Sequence, residues 1–391
     1  MIIKQQIERK AIVSDILRRL ENAPAVGVLG ARQVGKTTLS RQVEAQWQGT
    51  VTRFDLELPA DRDALSQSAQ TVFGRCEGLV ILDEVQRLPE LFTLLRPLCD
   101  RPDRNTRFLL LGSASWEMVK GVSESLAGRI QFVDVSGLSL AETGGDNLHP
   151  LWFRGGFPQA FLSNSDIEAM EWQEAFGRTF LERDIANLGF AAAPEALRRF
   201  WMMLAHYHGQ TWNGARLAEA LGASRATVER YRDILAGTFM LRVLPPWFEN
   251  LGKRLVKSPK VYLRDSGVLH QMLGMTKAID LPRHPCYGAS WEGFALEQTL
   301  IAQGQRDAYF YGTQRGAELD LLLLRRGRRW GFEFKCTDAP KTTKSMHIAL
   351  DDLKLEHLWV LYPGKLRYPL SEKITALPLR EIHQITLEAS P

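Results

Sequence analysis

Residues 30–38 read Gly30-Ala31-Arg32-Gln33-Val34-Gly35-Lys36-Thr37-Thr38. They fill the pattern G-x-x-x-x-G-K-[ST] completely, between an apolar run, Ala25-Val-Gly-Val-Leu29, and a segment with helical character, Leu39-Ser-Arg41. A strand, a glycine-rich loop and a helix in that order form a phosphate cradle. Gly30 and Gly35 let the backbone curl so that successive N–H groups point inward, and the helix starting near Lys36 adds its positive dipole end. Residues 30–38 are therefore the expected nucleotide-binding loop. Within it Lys36 reaches the β- and γ-phosphates and the Thr37 hydroxyl binds Mg²⁺.

Working outward, Gly78-Leu-Val-Ile-Leu-Asp83-Glu84 is an apolar strand that ends in two carboxylates. Beside a phosphate loop, Asp83 is expected to hold Mg²⁺ through water and Glu84 to polarise the attacking water. Arg107-Phe-Leu-Leu-Leu-Gly112-Ser113-Ala-Ser115 is a third buried strand, expected to lie next to the second. Its end brings Ser113 or Ser115 towards the γ-phosphate or the water. The fold class expected is α/β, with an ATPase domain over residues 1–160.

The loop, Leu82-Asp-Glu-Val-Gln-Arg-Leu-Pro-Glu-Leu-Phe92 and Ser125-Leu-Ala-Gly-Arg129 resemble a large prokaryotic family of AAA-type P-loop ATPases. Members carry a C-terminal domain catalogued as being of unknown function and thought to be nuclease-like. Gly155-Gly-Phe-Pro158, Leu181-Glu-Arg-Asp-Ile185, Lys257-Ser-Pro-Lys-Val-Tyr-Leu-Arg-Asp265 and Ser290-Trp-Glu-Gly-Phe294 extend the resemblance over nearly the whole chain. It implies an AAA-type fold, ATP and Mg²⁺ as cofactors, and a nucleotide-dependent homo-oligomer, such as a hexameric ring. In such assemblies an arginine from one subunit completes its neighbour's site. Arg129 is the candidate, with Arg154 in reserve.

The middle third, residues 161–280, reads as a helical linker and a winged helix. Apolar positions at helical spacing (Ile167, Met170, Trp172, Phe176, Phe180, Ile185, Leu188) predict a connecting helical segment over 166–189. Further on, Thr211–Leu235 reads as a short helix, a turn at Gly222, a Ser224 cap and a second helix burying Val228, Tyr231 and Leu235. Strands at Met240–Leu244 and Lys260–Leu263 follow, joined by a basic loop. Residues 196–260 hold eleven Lys/Arg and four Asp/Glu, a local +7 in a chain of net +4. Such clustering on a helix-turn-helix is a footprint of DNA binding. Arg225, Thr227 and Arg230 are the expected contacts from the second helix, and Lys253, Arg254 and Lys257 those from the wing. ATPases also use winged helices as lids between subunits, so a protein contact stays open here.

In the last third, residues 281–391, Glu318-Leu-Asp320 begins one strand of a predicted hairpin and Glu333-Phe-Lys335 ends the other. Residues two apart on a strand share a face. An Asp, then Glu-x-Lys, behind a helix bearing Glu292 and Glu297 resembles the PD-(D/E)xK nuclease core. That resemblance makes Asp320, Glu333 and Lys335 catalytic candidates. Asp320, Glu333 and Glu292 (less favoured, Glu297) become ligands for Mg²⁺, which orients a water against a phosphodiester. Degenerate members of that fold bind without cutting.

Composition narrows the function classes. With 45% hydrophobic and 24% charged residues among 391, the chain is an ordinary folded protein of two or three domains. Four scattered cysteines without metal spacing suit a reducing interior. No signal-peptide core and no apolar run of the ~18 residues a membrane helix needs are present. A soluble cytoplasmic protein without membrane partners is the expectation. Neither H-E-x-x-H nor G-x-S-x-G occurs. Two function classes remain. One is an ATP-driven DNA-binding motor or remodeller whose last domain grips or cuts DNA. The other is a regulatory ATPase switch whose later domains bind protein or ligand.

Overall fold

The computed structural model describes residues 7–101, 106–113, 126–188, 190, 192–249 and 255–387. The chain divides into two compact units. The first comprises Met1–Gly137 together with Asp184–Phe190 and Gly237–Phe239; the second holds the remainder. The first continuous stretch of that unit runs to residue 137, and residues 138–160 pack within the second unit.

The first unit is built on a parallel five-stranded sheet in the order β2-β3-β4-β1-β5, with β1 Ala25–Leu29, β2 Val51–Asp55, β3 Leu79–Asp83, β4 Arg107–Gly112 and β5 Ile130–Asp134. Strands β1 and β3 are buried along their whole length. That is why they read as unbroken apolar runs instead of alternating ones. One face of the sheet is closed by Leu65, Phe73, Phe92 and Leu95, packed with Val80, Phe108 and Leu110. The loop after β1, the end of β3 and the end of β4 all lie at the same edge because the three strands are parallel and adjacent.

In the second unit, Asp166–Thr179 is a helix that widens into a π-helical turn over Phe180–Asp184, where the sequence predicts one continuous segment. Residues 194–263 then run as helix Pro194–His206, β6 Gln210–Thr211, helices Gly214–Leu221 and Arg225–Gly237, β7 Leu241–Leu244 and β8 Lys260–Leu263. The strands form an antiparallel sheet in the order β6-β8-β7. Gly222, with φ of 68°, ends the first helix of the pair, and the Ser224 hydroxyl accepts the Thr227 N–H at 3.1 Å to cap the second. Val228, Tyr231 and Leu235 are buried as their spacing predicts.

A six-stranded mixed sheet completes this unit in the order β13-β14-β12-β11-β10-β9, with β9 Ala308–Gly312, β10 Glu318–Arg325, β11 Arg328–Phe334, β12 His357–Tyr362, β13 Tyr368–Ser371 and β14 Ile374–Pro378. The β10–β11 hairpin turns at Gly327, φ 77°. Helix Tyr287–Gln303 is buried over Ser290–Leu300 apart from Glu292. A Cβ at Gly293 would lie 2.2 Å from Nε2 of buried His208, so this helix can approach only through glycine. Nearby, the Trp152 indole donates to Ser290 Oγ at 2.9 Å, and Ser290 Oγ bonds His270 Nε2 at 2.6 Å. Nδ1 of His270 bonds the Phe153 carbonyl at 2.8 Å. A neutral imidazole with its proton on Nδ1 satisfies this chain from end to end.

Candidate functional site

At the carboxyl edge of the parallel sheet the expected nucleotide residues converge. A Cβ at Gly30 would lie 2.2 Å from the Val135 carbonyl oxygen, so the loop can pass there only as glycine. Gly35, φ 97°, turns the chain into helix Lys36–Gln46. Lys36 is buried and its Nζ donates to the carbonyls of Gly30 at 3.0 Å and Ala31 at 2.9 Å. The Thr37 hydroxyl donates to Asp83 Oδ2 at 2.8 Å. From β4, the Ser113 hydroxyl donates to Glu84 Oε2 at 2.7 Å. Gln86 bonds both Glu84 and Ser113, an element the sequence reading missed. Glu84 sits in the left-handed region, φ 55°, where the strand breaks sharply.

Burial shifts these groups in chemically useful directions. It pushes the Lys36 ammonium down, against the pull of Glu84 and Asp83, and raises Asp83 despite its hydrogen bond from Thr37. Burial alone would raise Glu84 too. The Lys36 charge and the bonds from Ser113 and Gln86 outweigh it and hold that carboxylate ionised. A buried ammonium over a glycine-framed loop, beside a hydroxyl paired with an aspartate, is the donor set for a polyphosphate with Mg²⁺. Here the residues fit the group.

Arg32, inside the loop, pairs with buried Asp184 and, at 3.1 Å, with Glu57, which also holds Arg87 at 3.1 Å. Asp184 belongs to the Leu-Glu-Arg-Asp segment, but its role was not legible because the contact spans 152 residues. Arg129 precedes β5 at the opposite end of the sheet. It is exposed to 27% and bonded to Asp100 at 2.5 and 2.9 Å. Five strand residues, ~17 Å, separate it from the loop of its own subunit. Arg154, the reserve, is engaged by Asp166 and the Ser163 carbonyl, both at 2.8 Å. Ser115 lies outside the described residues.

The second constellation lies on the β10–β11 hairpin. Its register, Leu321 opposite Phe332, sets Asp320 opposite Glu333 on one face, as expected. Asp320 Oδ2 accepts the Phe334 N–H at 2.9 Å, and Lys335 Nζ donates to Glu333 Oε1 at 2.7 Å. Burial, with Glu333 and Glu292 nearby, pushes Asp320 well above the usual carboxylate range against Lys260 and Lys335. Glu292 joins the group, accepting the Tyr262 hydroxyl at 2.7 Å.

Lys260, counted from sequence among the clustered basic residues, is buried and projects its ammonium among these acids. Nζ lies 3.2 Å from Glu292 and 3.8 Å from Asp320, and is paired with Glu318. Among the described residues no group of three or more His, Cys, Asp or Glu side chains is arranged to hold a metal ion. Glu292 and Asp320 face the Lys260 ammonium, and Glu333 pairs with Lys335. Glu297 is elsewhere. Buried, it takes Arg242 at 2.6 and 2.9 Å and Arg264 at 3.3 Å. Glu297→Ala should cost roughly 3–5 kcal/mol in urea unfolding, because it removes the buried carboxylate that two part-buried guanidiniums share. A change within 1 kcal/mol (about a single exposed pair's worth) would contradict that assignment.

Comparison with known proteins now fits this geometry. Residues 22–144 match the AAA domain family, residues 145–278 a domain of unknown function (DUF8612), and residues 287–382 another (DUF4143). Uncharacterized proteins of Mycobacterium tuberculosis and Mycobacterium bovis are each 45% identical over 376 residues, 96% of this chain and 85% of theirs. The chain belongs to their family. Its first unit is an AAA-type P-loop ATPase domain. Among solved structures, a Walker-type ATPase of Pyrococcus abyssi is similar at a TM-score of 0.49 and 17% identity, covering 68% of this chain and 96% of that one. The Thermotoga maritima RuvB Holliday junction branch migration motor follows at 0.33 and 16%, covering 61% and 90%.

Within this family member the candidate DNA residues are laid out unevenly. Arg225, paired with Glu229 at 2.8 Å, and Arg230 are exposed on helix Arg225–Gly237, while Thr227 is tied into the Ser224 cap. Lys257 is exposed; Lys253 and Arg254 lie outside the described residues. Lys260 and Arg242 are both turned inward against acids of helix Tyr287–Gln303, Lys260 buried and Arg242 partly so. No helix among the described residues is long and apolar enough to cross a membrane.

Proposed function

We propose that the chain is a Mg²⁺-dependent ATP hydrolase that acts on DNA as a translocating or branch-remodelling machine. The observation that carries the reading is an assembled nucleotide site on the same chain as a helix pair with an exposed basic second helix. Bound ATP with its cation supplies a γ-phosphoryl group open to in-line attack by water. Towards it, the loop amides over residues 30–38 and Lys36 hold phosphate oxygens, and Thr37 with Asp83 holds the cation. Glu84, ionised, orients the water, and Ser113 keeps Glu84 in register. Arg129 of a neighbouring copy offsets charge on the phosphoryl group, which requires a homo-oligomer such as a ring.

The helix–strand–helix–helix–strand–strand order of residues 194–263 supports a winged helix. Arg225, Thr227, Arg230 and Lys257, with Lys253 and Arg254, would then meet duplex or branched DNA mainly through phosphates. The acidic hairpin supports a nuclease-like module that grips or cuts.

The test is steady-state hydrolysis with no DNA, single strands, duplex and a four-way junction, using Lys36→Ala as the blank. Several-fold stimulation by one form, lost as salt rises, is expected. A flat, slow rate across all four would favour the second reading, a regulatory switch. That reading draws on the inward turn of Lys260 and Arg242 and on the hydrogen bonds that hold Glu84.

A further inference from the structure

Lys260 is the residue that the proposed function leaves unused. It is anchored in the middle of a sheet, paired with Leu244 on β7 and Thr211 on β6, so its backbone is fixed on both sides. Its ammonium lies 5.6 Å from the Phe310 ring centroid and faces Glu292, Glu318 and Asp320. Beyond them Glu333 is 5% exposed, and its Oε2 is a buried oxygen with no hydrogen-bond partner among the described residues. Four carboxylates thus meet two ammonium groups, Lys260 and Lys335. A divalent ion would have to enter exactly where one of them sits.

We infer that Lys260 is a tethered cation that takes the place of a divalent metal in the acidic cluster, making the C-terminal domain a metal-independent gripping module. This rests on the nuclease-like reading of that cluster. Electrostatics support it: three converging carboxylates that would favour a +2 ion are already faced by a +1 group that cannot dissociate. Removing the ammonium should therefore uncover a cation site instead of merely weakening the fold.

The experiment is Mn²⁺ binding to the full chain without nucleotide, followed by electron paramagnetic resonance, with folding checked by circular dichroism. Wild type should show no Mn²⁺ whose binding depends on Asp320. Lys260→Met should gain one site, about tenfold or more tighter than any in wild type, and Lys260→Met with Asp320→Asn should lose it again. Lys260→Arg should stay folded and bind none. Wild-type Mn²⁺ that vanishes in Asp320→Asn overturns the inference, and that comparison holds even if Lys260→Met fails to fold. A folded Lys260→Met that binds no Mn²⁺ also overturns it, and takes the nuclease-like reading with it. Mg²⁺-dependent DNA cleavage lost in Asp320→Asn would overturn the tethered cation while leaving that reading standing.

Discussion

Glu84→Gln should bind ATP as wild type does and hydrolyse it roughly 10²–10³-fold more slowly. The amide keeps the shape and can still accept from Ser113, so the site stays intact. What goes is a negative charge held ionised beside Lys36 and suited to orient a water and draw off its proton. Lys36→Ala should behave differently and lose nucleotide affinity itself, because its ammonium already lies over the loop carbonyls. Fluorescent-nucleotide titration with single-turnover hydrolysis separates the two effects. A Glu84→Gln enzyme within about threefold of wild type (~0.7 kcal/mol of barrier) would remove Glu84 from the chemistry.

The second large effect is acid lability of the second unit. Burial pushes His208 down to about 3 and His270 down to about 4, both from an ordinary 6.5. Each is neutral when folded and takes a proton on unfolding, so the stability they lend is complete above pH 6.5 and falls as pH drops towards the folded values. At pH 5 each accounts for a loss of about 2 kcal/mol. Asp265 has the opposite sign. Burial pushes it up to about 6, despite N–H donors from Val268 and Gly156, so its contribution grows as pH falls from 6 towards 3.8. It offsets about 1 kcal/mol at pH 5. These three groups together give a fall of roughly 3 kcal/mol between pH 7.5 and 5, visible as a lower urea midpoint. His270→Gln should flatten the pH slope, since an amide cannot take up the proton. A midpoint that rises on acidification would contradict the buried neutral histidines.

The nucleotide site was legible in the sequence because its parts are short contiguous motifs, each ending a buried strand. Once three such strands are parallel neighbours, Lys36, Thr37, Asp83, Glu84 and Ser113 must meet at one edge. Gln86 and Asp184 were not legible, since nothing local marks a side chain that bonds 27 or 152 residues away. The hairpin itself was legible, so Asp320 was expected to meet Glu333 across the strand pair, while the register that sets them opposite one another came from the structure. The burial of Lys260 was not legible because a charge count treats every lysine as a surface group, and burial of a charge depends on a partner from another element. Glu292 and Glu297 differ for a simpler reason. Five residues of helix turn by ~140° beyond a full revolution, so one faces Lys260 and the other Arg242.

The discontinuity of the first unit bears on how this protein can be taken apart. Asp184 and its neighbours return to the ATPase domain from far along the chain and pair with Arg32 within the phosphate loop. A fragment cut after residue 144 would carry every motif of the nucleotide site and still lack this counter-charge. Arg32 would keep Glu57 as a partner, but a cation shaped for two acids would be left with one, free to compete for phosphate. Dissection into tidy modules would thus alter the very loop it was meant to isolate, and rejoining a 184–190 peptide is the control that such work requires.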